Sequence, residues 1–208
     1  MFRALRFWQQ QVVRLKLTQL PKAKRLKHEN IHFATFAANS IPLSNHPTPP
    51  VLRLKLARLH GLPEIFHSIQ GEGKSIGIPS VFVRTSLCNL HCIWCDTDYT
   101  WNWVGTRFPH ENDALPGYQK FQKKEWIAEC DTATVAEQVH AFGCKNVILT
   151  GGEPMLQQPA LLELMQILRS KSADYRFEIE TNGTLIPGAD FDAAMDQYNV
   201  SPKLENSN

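Results

Sequence analysis

The 208 residues carry 43% hydrophobic and 20% charged side chains, a composition typical of a globular domain and not of a fibrous or low-complexity chain. No run of about 18 apolar residues is present, so the sequence predicts no membrane-spanning helix and no membrane partner. Five cysteines, three of them crowded together, argue against a secreted disulfide framework and favour a reducing, cytoplasmic compartment.

The formal charge of +2 conceals an uneven distribution. Residues 1–60 hold eleven Lys/Arg and one acid, whereas residues 61–208 hold eleven Lys/Arg and nineteen acids. A basic, acid-poor start is typical of a transit peptide or a nucleic-acid-binding arm, and an extension without function is equally compatible. We predict a basic, disordered extension over residues 1–58 and a folded domain over residues 59–208, whose acidic balance argues against nucleic acid as a partner.

The first part of the domain leads into a cysteine-rich loop. A short apolar stretch, residues 62–69, precedes the glycine-rich turn QGEG at residues 70–73. Residues 80–85 (SVFVRT) are rich in β-branched and aromatic side chains, which predicts a buried strand. Residues 98–128 are irregular and aromatic, and their length predicts a functional insertion or a lid.

The second part alternates helices and strands. Apolar periodicity predicts helices over residues 132–142, 159–170 and 191–198, and strands over residues 146–150 and 175–180. This order predicts an α/β fold with a parallel sheet and helices outside it. The motifs GGEP, ETNGT and SPK follow the elements in this part, so we expect them to meet the cysteine loop at the carboxyl edge of the sheet, where ligands bind in such folds.

Three cysteines, Cys88, Cys92 and Cys95, have C-x3-C-x2-C spacing with no fourth cysteine nearby. Structural zinc sites and most iron–sulfur clusters use four protein ligands, so three thiolates leave one metal position open. An open position favours a catalytic centre that binds a small molecule. A structural zinc site remains the alternative, with His91 or His67 as its fourth ligand.

Several further positions each have a structural and a functional interpretation. The pair Gly151 and Gly152 belongs to a tight turn, or lets a ligand approach the backbone closely. Arg84 and Lys203 are surface charges, or bind carboxylates, which suits a guanidinium fork especially well. Glu153 is a solvated carboxylate, or anchors a ligand amine. Thr97 caps a helix, or ligates a hard cation such as Mg²⁺.

The cysteine spacing followed by a strand-end GGEP resembles the radical S-adenosylmethionine (radical SAM) superfamily. Together, EIFHSIQGEG, FVRTSLCNLHCIWCDT, LTGGEP, ETNGT and SPK resemble the 7-carboxy-7-deazaguanine synthase family over residues 62–205. The resemblance implies a partial (β/α) barrel and a lyase of queuosine biosynthesis that converts 6-carboxy-5,6,7,8-tetrahydropterin into 7-carboxy-7-deazaguanine and ammonia. It also implies a [4Fe–4S] cluster, S-adenosylmethionine, Mg²⁺, an electron donor such as flavodoxin, and a homodimer.

The resemblance implies roles for individual residues. The cluster ligands would be Cys88, Cys92 and Cys95, and Thr97 would ligate Mg²⁺. Substrate contacts would come from Ile69, Gln70, Gly71, Arg84 and Thr150. Contacts to S-adenosylmethionine would come from Trp94, Cys95, Asp96, Gly152, Ser201, Pro202 and Lys203, with Glu180 and Asn182 as further candidates.

Two departures from the family pattern leave rival functions open. Family members begin close to the strand before QGEG and continue past SPK, so the sequence predicts an added N-terminus and a barrel truncated at the C-terminus. One rival is an activase of a glycyl-radical enzyme, which would need a surface for a protein substrate. The other is a truncated metal-binding remnant without turnover.

Overall fold

The structure is a computed structural model that describes residues 51–207. An eight-stranded sheet forms the centre of this part of the chain. The strands are β1 (Arg53–Leu59), β2 (Leu62–Pro63), β3 (Ile65–Ile69), β4 (Pro79–Thr85), β5 (Ile127–Asp131), β6 (Asn146–Gly151), β7 (Arg176–Thr181) and β8 (Gln197–Val200). The helices are α1 (Lys123–Trp126), α2 (Thr132–Ala141), α3 (Gln158–Lys171) and α4 (Ala189–Ala194). None of these helices is long and apolar enough to cross a membrane.

Four parallel neighbours, in the order β4, β6, β7, β8, make up one side of the sheet. α2, α3 and α4 lie in the connections between successive members of this set. β3 and β1 pair antiparallel with β4, and β5 pairs antiparallel with β1. The predicted α/β class is therefore confirmed, and the predicted parallel arrangement holds for four strands of a mixed sheet.

Successive side chains of the parallel strands alternate between the two faces of the sheet. On one face, fully buried apolar side chains pack with α2 and α3 in a single core, namely Val81, Val83, Val147, Leu149, Phe177 and Ile179. On the opposite face, Arg84 lies beside Thr150, and Glu180 lies beside Asn199, in the strand register. These polar side chains therefore lie on the face of the sheet that points away from the helices.

The folded domain begins earlier than predicted. β1 alternates buried Leu54 and Leu56 with exposed basic residues and pairs along its length with β5. The predicted boundary at residue 59 is therefore wrong for residues 53–58, which belong to the sheet. Residues 1–50 of the predicted extension lie outside the described residues.

The predicted helix over residues 191–198 is wrong in its second half. α4 ends at Ala194, and Gln197–Val200 forms β8. β8 pairs in parallel with β7, so Tyr198 is a strand residue opposite Ile179. Pairing with an open strand edge decides the conformation here, since β-structure depends more on cross-strand neighbours than on local preference.

The aromatic segment between β4 and β5 forms a packed insertion. Apart from short 3₁₀ turns and α1 it is irregular, and its rings pack on one another. Phe121 contacts Trp126 with ring centroids 4.7 Å apart, and Trp101 is buried. The long irregular connection is thus observed between these strands, and its role as a functional insertion or a lid stays a prediction.

Candidate active site

A cavity of about 500 Å³ opens at the carboxyl ends of β4, β6, β7 and β8. The loops that follow these four strands contribute its walls, as the parallel arrangement predicts. Most of the predicted site residues line it: Arg84, Cys88, Cys92, Trp94, Cys95, Asp96, Thr97, Thr150, Gly152, Ser201 and Lys203. The two further candidates, Glu180 and Asn182, line it as well.

The cysteine loop leaves β4 through a strained residue. Leu87 has φ of +77°, a left-handed conformation that costs a non-glycine residue roughly 1–3 kcal/mol. Its N–H donates to the Thr100 carbonyl (2.9 Å), and its carbonyl accepts from the Glu153 N–H (2.8 Å). These two hydrogen bonds hold the chain in the sharp turn that sends Cys88 toward the cavity.

The three thiols are free and border the same cavity. Burial raises the pKa of Cys88 to about 11, and Cys92 is buried as well. Among residues 51–207, no three His, Cys, Asp or Glu side chains are close enough together in this structure to coordinate a metal ion. Three soft thiolate donors that border one cavity, with space beside them, fit an iron–sulfur cluster that keeps one coordination position open for a ligand.

The zinc alternative required a fourth ligand from His91 or His67. Neither residue lines the cavity. The His91 ring stacks on Phe108 with centroids 3.6 Å apart, and the His67 ring stacks on Phe142 at 6.2 Å. Both imidazoles therefore pack on aromatic neighbours, and neither borders the cavity that the thiols line.

The glycine pair at the end of β6 is required by close packing against the start of the cysteine loop. Gly151 has φ of +137°, and a Cβ there would lie 2.1 Å from the Thr85 carbonyl oxygen. A Cβ on Gly152 would lie 2.3 Å from the Leu87 carbonyl oxygen. Only glycine fits at either position, because both contacts are to backbone atoms.

Glu153 is not among the residues that line the cavity, and the hypothesis that it anchors a ligand amine stays a prediction. Its carboxylate is fully buried and accepts from the Met155 N–H (3.0 Å), the Thr181 hydroxyl (2.8 Å) and the Asn182 N–H (2.8 Å). A buried carboxylate with three donors is a structural group. It ties the turn after β6 to the turn after β7.

Arg84 is held by a carboxylate that sequence reasoning did not single out. Its Nε donates to Glu64 Oε1 (2.7 Å), while the Tyr99 hydroxyl donates to Glu64 Oε2 (2.8 Å). Burial alone would lower the pKa of Arg84, but the Glu64 carboxylate and further negative charge outweigh it and raise the pKa. Arg84 thus presents a permanent cation to the cavity through a fixed orientation.

Four predicted residues, Ile69, Gln70, Gly71 and Pro202, are absent from the cavity lining. Gln70 is buried, and its Nε2 donates to Glu180 Oε1 (3.1 Å) while its Oε1 accepts from the Glu72 N–H (3.0 Å). Gln70 therefore touches two residues that do line the cavity. Ile69 is exposed, as is Gly71.

Gly151, predicted with Gly152 as a place of close ligand approach, also lines the cavity, whereas Glu72, Leu90, Trp101, Thr181 and Asn199 line it without having been predicted as site residues. Glu72 stands in the QGEG motif, so its motif neighbours would have found it. Asn199 was placed beyond a predicted helix, and Trp101 in an insertion without a motif. Their positions follow from strand pairing and ring packing, which have no local signal.

Comparison with known proteins decides the family. A family model described as "Radical SAM superfamily" matches residues 82–201, more than half of the chain. The chain belongs to the radical SAM superfamily. That membership implies a [4Fe–4S] cluster and S-adenosylmethionine. The thiols of Cys88, Cys92 and Cys95 and the cavity that they border fit these groups.

Curated relatives in this superfamily share one name. The chain is 39% identical over 144 residues to the 7-carboxy-7-deazaguanine synthase of Halobacterium salinarum, covering 69% of this chain and 46% of that protein. It is 36% identical over 146 residues to the synthase of the same name from Pyrobaculum aerophilum, covering 69% and 55%. The chain spans about half the length of the curated relatives it matches.

A solved structure supports the same fold. The crystal structure of QueE from Escherichia coli aligns with a TM-score of 0.51 and 26% identity, over 74% of this chain and 61% of that one. The radical SAM chain thus shares the architecture of that protein. Neither this structure nor the curated relatives favour the glycyl-radical activase alternative.

Proposed function

We propose that this radical SAM protein is a 7-carboxy-7-deazaguanine synthase. It would convert 6-carboxy-5,6,7,8-tetrahydropterin into 7-carboxy-7-deazaguanine with release of ammonia, a lyase step of queuosine or other deazapurine biosynthesis. The observation that carries the proposal is the placement of Arg84 in the same cavity as the three cysteines. A guanidinium held there suits a small substrate with a carboxylate close to its reacting carbon.

The cofactors would lie against the cysteine loop. Cys88, Cys92 and Cys95 would hold the cluster, and the peptide groups of residues 94–96, with Gly152 and residues 201–203, would contact S-adenosylmethionine. When bound, these groups supply one-electron chemistry that removes a hydrogen atom from the substrate. Lys203 and Ser201 line the cavity and bond to each other (2.7 Å), which favours a role in binding the polar part of the cofactor.

The substrate would lie between Arg84 and the polar face of the sheet. Arg84 would bind its carboxylate, and Thr150, next to Arg84 in the strand register, would contact the ring. Ile69, Gln70 and Gly71 would border the pterin from the QGEG turn, with Gln70 also acting through Glu180. These contacts would orient the substrate and exclude water from the reacting carbon.

A Mg²⁺ ion at Thr97 is part of the proposal. Thr97 lines the cavity, and its hydroxyl lies 3.6 Å from Cys95 Sγ. A hydroxyl and a substrate carboxylate are oxygen donors of the kind Mg²⁺ prefers, with water completing the shell. Bound there, the ion would orient the substrate carboxylate beside Arg84.

We extend the proposal to the setting of the enzyme. The five free thiols support a reducing, cytoplasmic compartment. One-electron chemistry requires a reductant, for which we propose a flavodoxin-type protein. A homodimer completes the proposal, and size-exclusion chromatography with light scattering measures it.

Substrate discrimination tests the proposed function. The anaerobically reconstituted full chain, given S-adenosylmethionine and a reductant, should turn over 6-carboxytetrahydropterin and leave tetrahydropterin without the carboxylate unchanged. In Arg84→Ala the KM for the carboxylated substrate should rise by roughly 10- to 100-fold, because a charged hydrogen-bonding partner is lost. Equal turnover of both pterins, or an unchanged KM in Arg84→Ala, would contradict the assignment.

A further inference from the structure

The aromatic segment between β4 and β5 contacts the cysteine loop, and three of these contacts come from residues 108–111. The His110 Nε2 atom lies 2.9 Å from the carbonyl oxygen of Cys95. The Glu111 N–H donates to the carbonyl of Ile93 (2.9 Å). The Phe108 ring stacks on His91 with centroids 3.6 Å apart. All three contacts fall between the first and last cysteines or on the last one.

The partners of His110 define its tautomer. A carbonyl oxygen can only accept, so Nε2 carries the proton and donates to Cys95. The Asn112 backbone N–H can only donate, and it points at Nδ1 (3.2 Å). Both ring nitrogens of His110 are therefore engaged, and the residue is only 4% exposed.

Other residues of the same segment hold the backbone of His110 and the Nδ1 side of its ring. The His110 N–H donates to Asp113 Oδ2 (3.0 Å), which closes a reciprocal cap at the start of a 3₁₀ turn, Glu111–Ala114. Asp98 Oδ2 lies 3.5 Å from His110 Nδ1 and accepts from the Tyr118 hydroxyl (2.5 Å). Such a network leaves the imidazole one orientation, in which its Nε2–H is aimed at the cysteine loop.

We propose that His110 is a positioning residue for the cluster. By fixing the Cys95 carbonyl it orients the last thiol ligand and the Asp96–Thr97 segment that follows. Outer hydrogen bonds of this kind set the direction of metal ligands and are worth as much as 10- to 100-fold in metal affinity. The inference rests on the cluster role of the three cysteines in this superfamily and does not depend on the identity of the substrate.

Two substitutions separate the two hydrogen bonds. His110→Asn keeps an acceptor near the Nδ1 position for the Asn112 N–H and removes the donor to Cys95. His110→Gln keeps a donor near the Nε2 position. His140→Asn is the matched control, since His140 bonds the Tyr175 hydroxyl through Nδ1 (2.9 Å) and does not line the cavity.

The measurements are amide hydrogen exchange and iron loss to a chelator, on the anaerobically reconstituted full chain. We expect the Ile93 and Cys95 amides to exchange roughly tenfold faster in His110→Asn, with faster iron loss, while β4, β6 and β7 keep their protection. His110→Gln and His140→Asn should keep wild-type rates at both amides. Unchanged rates in His110→Asn, equally fast rates in His110→Gln, or loss of protection throughout the sheet would overturn the proposal. The wild-type cluster spectrum and S-adenosylmethionine cleavage, measured alongside, report on the superfamily chemistry separately.

Discussion

The buried carboxylate of Glu153 accepts a hydrogen bond of 2.8 Å from the backbone N–H of Asn182. Through this bond the turn after β6 is joined to the turn after β7, although 29 residues separate them. The Glu153 N–H meanwhile donates to Leu87 at the start of the cysteine loop. Three loops of the cavity are therefore locked to one residue that does not itself line the cavity.

Glu153→Gln should destabilise the domain. The amide group of glutamine would face N–H and hydroxyl donors with a donor of its own, so the free energy of unfolding should fall by about 1–3 kcal/mol. Urea denaturation followed by fluorescence measures this change. Glu129→Gln, at an exposed position on β5, is the control and should leave the unfolding free energy unchanged. Equal effects in the two variants would contradict the structural role of Glu153.

Gly152→Ala should displace the cysteine loop without unfolding the sheet. The new methyl group would lie 2.3 Å from the Leu87 carbonyl oxygen, and backbone cannot give way as a flexible side chain does. Misplacement of the cofactor wall should reduce S-adenosylmethionine cleavage by roughly 10- to 100-fold. The matched control is Gly188→Ala, where the methyl group would meet only Gln158 Oε1 at 3.8 Å. Wild-type cleavage by Gly152→Ala would show that the loop has room to adjust.

Tyr99→Phe should weaken substrate binding through Arg84. Loss of the hydroxyl removes one of the two hydrogen bonds that fix Glu64, the partner of Arg84 Nε. We expect the KM for the carboxylated pterin to rise by roughly tenfold, with a smaller change in kcat. Tyr175→Phe removes a hydroxyl bonded to His140, and its KM should match the wild type. A fall in kcat with an unchanged KM in Tyr99→Phe would assign Tyr99 a different role.

Thr97 gives a prediction about metal dependence. Thr97→Ala should need at least about tenfold more Mg²⁺ for half-maximal turnover, because an oxygen ligand is lost. Thr97→Ser keeps the hydroxyl and should retain the wild-type requirement. Titration of Mg²⁺ into the metal-depleted, cluster-loaded protein measures both. A Mg²⁺ requirement that is the same in all three proteins would remove Thr97 from the metal site.

The central elements were predictable because their signals are local. The continuous apolar runs of β4 and β6 and the periodic apolar face of α3 read directly from the sequence. β1 also carries a local signal, the alternation of leucine with basic residues, but its charge led to its inclusion in the extension. β8 has only four residues, and its conformation depends on pairing with β7. A short stretch of sequence does not reveal such a pairing.

Site residues, too, were predictable where their signal is local and were missed where it depends on a tertiary contact. Cys88, Arg84 and Gly152 belong to short motifs whose spacing predicts chemistry, and all three line the cavity. Glu64 and His110 were missed because each acts through a tertiary contact, with Arg84 and with the Cys95 carbonyl. Glu64 opens the EIFHSIQGEG motif and His110 belongs to no motif, but in both cases the role is identified only when the partner is known.

Product analysis tests the central claim most directly. The full-length chain, reconstituted anaerobically, is supplied with 6-carboxy-5,6,7,8-tetrahydropterin, S-adenosylmethionine, Mg²⁺ and a reductant, and the products are identified by mass spectrometry. The account predicts 7-carboxy-7-deazaguanine and ammonia in equal amounts, in excess over the S-adenosylmethionine consumed. A preparation with a full cluster and bound S-adenosylmethionine that forms neither product would contradict it.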